Sequence, residues 1–562
     1  QARIFAGGQV SITSPENSSS FWQPFVVDYR PTGQRFGKYT PGWPFVLSFG
    51  ELWGQLWLIN AFFSMLTVAT VYRLGREIFG ADVGVIAALL TAFSPAALLL
   101  NGSLMAHTAA MFYATFFMYA YWRMERGSRR WRWGLVAGLA LGALASTRPL
   151  TTVAIALPFI LWSGARLLAT LLPANPQKSA EIKPRLHRFW QVLSPLLLLS
   201  AGALLLASSI PLFSFAVTRD PSQNLYRLVW EYDGIGFGEC CGRSGHTLEK
   251  AFRHARFDLS LTAADLFGWQ IAPITPELQE HLQTESDYWP ARGFSFVLLP
   301  VGLVMGLLSA GERRNWRILL LIIWSAGALA WVLLPLNLDS SIAGMLGLTV
   351  ESWREPNFAW FWIILGGIWL FAPLLLLIPW RNRPQIPYTW IFAGIVLGIV
   401  LVQMLYWIGS QRYSTRYYYE ALTAAALLTA LPLGWVARKA GRLWTYPVLM
   451  ALMVFTLFHY STPRIEALYR FNQISPAQLQ QVDELRTDDR PVLVIVIGDT
   501  SGANAVRWRS YGSLMAVTSP YFDSDIVVAR DFGGRREEFE AMFPDRQVLI
   551  LVAQGNVGTF LR

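Results

Sequence analysis

The sequence predicts an α-helical polytopic membrane protein with a small α/β soluble domain at its C-terminal end. Three observations carry that prediction. Of 562 residues, 54% are hydrophobic and only 15% charged, which is too apolar for a soluble chain of this size. Apolar runs of about 20 residues, enough to cross a hydrocarbon core of about 30 Å, recur along most of the chain. After Thr462 the composition changes, and Pro491–Ile497 reads PVLVIVI, a β-branched run that suits a buried strand.

Residues 1–51 are polar, and Gln1 to Ser20 lacks the charged start and apolar core of a secretory signal. The stretch holds FVVDYRPTGQRFGKYTPGWP, Phe25 to Pro44, with Asp28, Arg30, Arg35 and Lys38 ahead of a Tyr39-Thr40-Pro41-Gly42 turn. Proline fixes one dihedral and glycine relaxes another, so this turn aims the side chains on either side of it. Beside a membrane, the loop reads as a holder of a phosphate group or as a plain entry linker.

About 12 spans are expected within residues 52–460: Leu52–Tyr72, Val83–Leu100, Leu104–Trp122, Trp133–Ala145, Leu150–Leu172, Trp190–Val217, Phe294–Ala310, Trp316–Leu334, Phe358–Ile378, Trp390–Ile408, Tyr417–Ala437 and Trp444–His459. The runs do not alternate polar with apolar residues, so helices rather than barrel strands are expected. Every second connection is basic, as at Arg73/Arg76, Arg123–Arg132 and Arg438–Arg442, and the positive-inside rule turns those toward the cytoplasm. Residues 1–51, the loop 218–292 and a domain at 461–562 then face outward. The net charge of +10 sits mostly in short arginine clusters between apolar runs, a pattern of membrane topology rather than of nucleic-acid binding. In the C-terminal part, Asp525–Ala529 and Gln547–Val552 read as further strands and Arg535–Met542 as a helix. Its Gly498-Asp499 turn lacks a GxGxxG pattern, so a capping or acceptor-docking role is expected there.

Charges at a membrane rim are expensive and mark function. His107 is expected one turn into its span, as a packing residue or a site member. Arg148, in Ser146-Thr147-Arg148-Pro149, has no nearby acid and would seek a phosphate or a distant carboxylate. Gln411–Glu420 carries Arg412, Arg416, Tyr417 and Glu420, with Arg416 and Glu420 spaced for an i,i+4 helix pair. The loop 218–292 offers Asp233, Glu239, His246, His254, Asp258 and Asp265 without a regular metal-ligand spacing. Cys240 and Cys241 are adjacent, which excludes a disulfide framework and a CxxC site. No GxSxG or Walker sequence is present, which argues against a serine hydrolase or an ATP-driven pump.

Together these stretches resemble the GT-C class of polyprenyl-phosphate-sugar-dependent glycosyltransferases, bacterial members related to protein O-mannosyltransferases and aminoarabinose transferases (glycosyltransferase family 39-like). The likeness runs from about Ala2 to Leu433. It is carried by ARIFAGG at Ala2–Gly8, FGKYTPGWP at Phe36–Pro44, SLMAHT at Ser103–Thr108, STRP at Ser146–Pro149, YDGIGFG at Tyr232–Gly238, GHT at Gly245–Thr247, DLFGW at Asp265–Trp269 and TRYYYE at Thr415–Glu420. The resemblance implies a GT-C-like fold, a membrane helix ahead of residue 1, and a multi-pass position in the inner (plasma) membrane. It implies direct transfer of a sugar to an acceptor hydroxyl on the extracytoplasmic face, with inversion at C1. Asp28 would then be the base, and Lys38, Arg148 and Arg412 or Arg416 would hold the donor phosphate. Tyr39, His107, Asp233, His246, Tyr417 and Glu420 would line the substrates. The implied partners are the lipid-linked donor, a protein, lipid or glycan acceptor, and membrane lipids, but not nucleic acid; no cofactor is certain, and a divalent metal ion stays open. Two rival readings are a transporter or flippase for lipid-linked sugars, which would bury charges near mid-span, and a non-catalytic subunit of a membrane assembly.

Overall fold

The computed structural model describes residues 1–171, 182–270, 293–308, 385–409, 416–468, 474–498, 507–555 and 557–561. The expected spans Trp316–Leu334 and Phe358–Ile378, and Arg412, lie outside the described residues. Among the described residues, six helices are long and apolar enough to cross a membrane: Leu56–Phe79, Pro149–Leu171, Leu186–Thr218, Pro387–Met404, Arg416–Ala440 and Arg442–Glu466. His107–Arg126 and Arg130–Thr147 are helical where spans were expected but are not among those six. The expected single span Val83–Leu100 is broken into Ala81–Ala92 and Pro95–Asn101, which meet at 55°. Ser94 causes the break: its Oγ accepts from the Ala97 N–H at 3.3 Å and starts a new helix, with Pro95 at the first position, where no N–H is needed.

The Arg416–Ala440 element runs through the centre, packed on helices Ala81–Ala92, Leu298–Leu308 and Gln385–Met404. Leu186–Thr218 lies at the periphery and is gripped by a stripe of glycines at 134, 138 and 142. A Cβ on Gly138 would fall 2.1 Å from the Leu199 carbonyl oxygen, so only glycine lets these two backbones touch. The charged helix ends sort to two sides. One side gathers Glu77 with Arg123 at 3.1 Å, Asp82 with Arg442 at 2.8 Å, and Glu125 with Arg166 and the Tyr388 hydroxyl. These are the ends next to the basic connections. The opposite side carries the first loop.

That loop is ordered by a small antiparallel sheet. Strands Ile12–Thr13, Val26–Tyr29 and Gln34–Gly37 lie in the order first, third, second. The turn between the last two has Gly33 at φ 64, a left-handed conformation that glycine adopts without strain. It sets Asp28 opposite Arg35 and Val27 opposite Phe36. Val27 and Phe36 pack on Phe213, Val217 and Leu225, which seats the hairpin on the helix Ser209–Thr218.

At the other end of the chain, strands Val492–Gly498, Ile526–Arg530, Gln547–Gln554 and Val557–Phe560 form one sheet. The first pairs in parallel with the second and third, and the last is antiparallel to the third. Both faces are covered: Val492, Val494 and Val496 pack with Val482 and Leu514, whereas Leu493 and Ile495 pack with Phe539 and, from the first loop, Phe21. A strand buried on both faces explains the unbroken apolar run.

Candidate functional site

Phe25 opens the site. It has φ 66, rare for a residue with a side chain, and its carbonyl oxygen accepts from the Lys38 N–H at 2.9 Å, which extends the hairpin ladder past Gly37. The pleat then puts Phe25 and Lys38 on one face. The Lys38 ammonium lies 4.2 Å from the centroid of the Trp230 ring, 5.0 Å from Tyr226, 5.1 Å from Phe25 and 5.6 Å from Tyr39. Four ring faces around a buried cation are an attractive electrostatic arrangement. Lys38 also donates to Asp233 Oδ2 at 3.0 Å, and Asp233 Oδ1 accepts from the Tyr406 hydroxyl and the Trp407 indole, both at 3.0 Å.

A second buried group lies at the start of the His107–Arg126 helix. Glu420 is fully buried, and its Oε1 lies 3.0 Å from Arg148 Nε and 3.2 Å from His107 Nδ1. Arg148 also donates to His107 Nε2 at 3.0 Å. Arginine has no lone pair to offer, so Nε2 accepts and the proton sits on Nδ1, pointing at Glu420. Glu420 Oε2 is left without a side-chain donor among the described residues.

Tyr417 joins the two groups. Its ring lies 5.7 Å from the Arg148 guanidinium, 5.0 Å from that of Arg416 and 5.9 Å from the Tyr406 ring. Arg416 donates to the Tyr417 hydroxyl at 3.3 Å, and no carboxylate pairs with it among the described residues. The cluster therefore holds three cations against two carboxylates, an excess of one positive charge. The Tyr39–Gly42 turn brings Lys38 to this place by docking on the Arg148 segment. Thr40 Oγ1 donates to the Thr147 carbonyl at 3.2 Å, and a Cβ on Gly42 would meet the Ser146 carbonyl carbon and oxygen at 2.7 Å.

The structure thus brings together Lys38, Tyr39, His107, Arg148, Asp233, Arg416, Tyr417 and Glu420. It sets Asp28 apart. In a strand, alternate residues point to opposite faces, and Asp28 shares its face with Arg35, 3.9 Å away, not with Phe25 and Lys38. Burial raises the Asp28 carboxyl above its ordinary range, against the opposing pull of the Arg35 guanidinium. His246 acts as a latch: its Nε2 lies 2.9 Å from the Met404 carbonyl oxygen and its ring stacks on Phe237 at 5.2 Å, pinning the glycine-rich loop to the end of helix Gln385–Met404. The helix begins at His107 rather than a turn before it. Arg416 and Glu420 do not pair, because Arg416–Ala421 is a 3-10 helix, in which i and i+4 no longer share a face. Asp265 holds Tyr460 at 2.6 Å and Arg464 at 2.8 Å and is a structural anchor. Among the described residues no group of three His, Cys, Asp or Glu could hold a metal ion, and the Asp233 oxygens are filled by side-chain donors. The cage rings Tyr226 and Trp230 and the Asp233 donors Tyr406 and Trp407 were missed; for the first two the aromatic density of Leu225–Tyr232 is the available signal.

Residues 45–174 match the family described as dolichyl-phosphate-mannose-protein mannosyltransferase, a stretch that includes His107 and Arg148 and stops short of Lys38. No curated protein matches the chain. Among solved structures, the archaeal oligosaccharyltransferase AglB from Archaeoglobus fulgidus, in complex with an inhibitory peptide and a dolichol-phosphate, is 13% identical over 98% of this chain and 68% of its own, with a TM-score of 0.39. ArnT from Cupriavidus metallidurans in the apo state is 14% identical over 98% of this chain and 86% of its own, at 0.38. ArnT bound to undecaprenyl phosphate is 15% identical over 99% and 91%, at 0.33. At such scores no residue is carried from one chain to another.

Proposed function

We propose that this protein is an integral membrane glycosyltransferase that moves a sugar from a polyprenyl-phosphate donor to an acceptor hydroxyl on the extracytoplasmic face, with inversion at C1. The division behind the reading is a first outer loop at 1–51, a transmembrane part at 52–460 and an outer α/β domain at 461–562. The observation that carries it is the gathering of Arg148 and Arg416 at the Tyr417 ring, with Lys38 joined to that ring through Asp233 and Tyr406, and one positive charge in excess. Breaking the C1–O bond builds negative charge on the departing phosphate, so cations fixed in place stabilise the transition state more than the ground state. Asp233 takes one of the three Lys38 N–H bonds, and the ammonium otherwise meets aromatic rings, so an entering phosphate oxygen competes there with ring contacts alone. The acceptor attacks C1 from the opposite side, and its proton passes to a base on that side, away from Asp233 and Glu420, which are held by Lys38 and Arg148 on the phosphate side.

The test is a radiolabelled polyprenyl-phosphate sugar supplied to membranes that carry the protein. Label incorporated into an acceptor is the expected result; label that crosses the membrane without incorporation favours the flippase reading and sinks this one. Asp28→Asn is expected to keep transfer within about threefold, since Asp28 lies on the hairpin face opposite Lys38 and stands 3.9 Å from Arg35, too far for a hydrogen bond. Complete loss of transfer in that variant would return Asp28 to the mechanism.

The same reading fixes a pH dependence. Burial holds the Lys38 ammonium below the ordinary lysine range, with Asp233 opposing part of that shift. The charged form is the one that grips an anion, so donor affinity is present below this lowered pKa and is lost as pH rises through it. Donor KM is therefore expected to climb on the alkaline side before pH 10.5, the value of an ordinary lysine. A profile flat to that pH would contradict the role of Lys38.

A further inference from the structure

We infer that the C-terminal α/β unit is a clamp that sets the Lys38 cage, acting through Phe21 and Arg35 as positioning residues. Phe21 is 2% exposed although it belongs to the first loop. Its ring sits among Phe522, Phe539 and Phe543 at centroid distances of 4.6, 5.9 and 6.1 Å, inside the core on one face of the C-terminal sheet. The backbone around it is tied to the sheet edge: the Arg530 N–H donates to the Ser20 carbonyl at 2.9 Å, and the Arg530 guanidinium covers the Trp22 ring at 5.1 Å. Only three residues separate Phe21 from Phe25, the wall of the cage that also accepts the Lys38 N–H.

Arg35 closes the link from the hairpin side. It is 2% exposed, donates to the Phe21 carbonyl, lies over the Phe522 ring at 5.9 Å and faces Asp28 across the ladder. Three residues further on stands Lys38. The cage is thus held from two directions, through Phe21–Phe25 and through Arg35–Lys38, and both tethers end in the core on one face of that sheet. A buried guanidinium with an apolar ring beneath it and a carbonyl in front fixes position tightly, because it can move only by giving up all its partners together. The clamp itself is independent of the reaction; its consequence for catalysis rests on the proposed transferase reading.

The test uses the full chain in detergent and a water-soluble amine-acetylating reagent, with each lysine read by peptide mass spectrometry. In the native protein Lys38 is expected to react far more slowly than exposed Lys439. Phe21→Ala is expected to raise Lys38 labelling by about tenfold or more, because losing a buried ring shifts a local opening by that order. Phe21→Leu, which refills the pocket, is expected to restore most of the protection. The double variant Asp28→Asn with Arg35→Met removes the hairpin-side link without leaving a buried charge, and is expected to expose Lys38 in the same way. Lys38 protected as in the native protein in both variants overturns the clamp. Such protection counts against it whether the α/β unit stays protease-resistant or unfolds, since unfolding would also release the cage. With donor and acceptor present, the same variants are expected to raise donor KM by a larger factor than they lower kcat. Absence of transfer by the native protein would defeat the transferase reading while leaving the labelling result to stand or fall alone.

Discussion

Lys38→Met is expected to lower kcat/KM for a polyprenyl-phosphate sugar by about 10²–10³-fold, the usual loss when one fixed donor to a developing oxyanion is removed. The variant also strands Asp233, which is buried, so part of any loss could come from a damaged fold. A second substitution separates the two effects. Asp233→Asn added to Lys38→Met removes the uncompensated charge while its amide oxygen still accepts from Tyr406 and Trp407. That pair is expected to recover the melting temperature of the native protein and not its activity. Recovery of transfer in the double variant would show that Lys38 serves the fold alone.

The largest effect on stability is expected at Glu420. Replacing it by alanine leaves Arg148 and His107 facing each other around an empty acceptor position, and breaking a buried charge pair costs about 3–5 kcal/mol. The apparent melting temperature in detergent should drop clearly in Glu420→Ala. Glu420→Gln, which keeps an acceptor for both partners, should drop it less. An unchanged melting temperature in Glu420→Ala would mean that Arg148 finds another partner, and that the buried group is not the brace it resembles.

How much of this could be read from the chain differs by residue. Lys38, Arg148 and Arg416 were legible because a cation beside an apolar run has few cheap resting places. Their partners were not: Asp233 lies 195 residues from Lys38, and Glu420 is 313 from His107, so only the packed helices bring them together. The spacing of Arg416 and Glu420 misled, because an i,i+4 reading assumes an α-helix and this turn is 3-10. The side on which Asp28 lies was not legible for a related reason. Its face follows from the hairpin register, and that register follows from the Arg30–Gly33 turn; once Asp28 stands opposite Arg35, Lys38 must point the other way. The buried C-terminal strand announced itself in PVLVIVI, whereas the seat it makes for Phe21 depends on contacts some 500 residues apart. The break at Ser94-Pro95 is a place where a cap signal stood in the sequence and an unbroken span was expected.

The claim that cations from three distant stretches form a single anion site is tested most directly by equilibrium binding of polyprenyl phosphate, without a sugar, to the purified protein. Lys38→Met with Asp233→Asn, Arg148→Met with Glu420→Met, and Arg416→Met each remove one cation without leaving a buried charge behind. Each is expected to weaken binding by about tenfold or more, the range for a charge-assisted hydrogen bond. Affinity equal to that of the native protein in all three would contradict it.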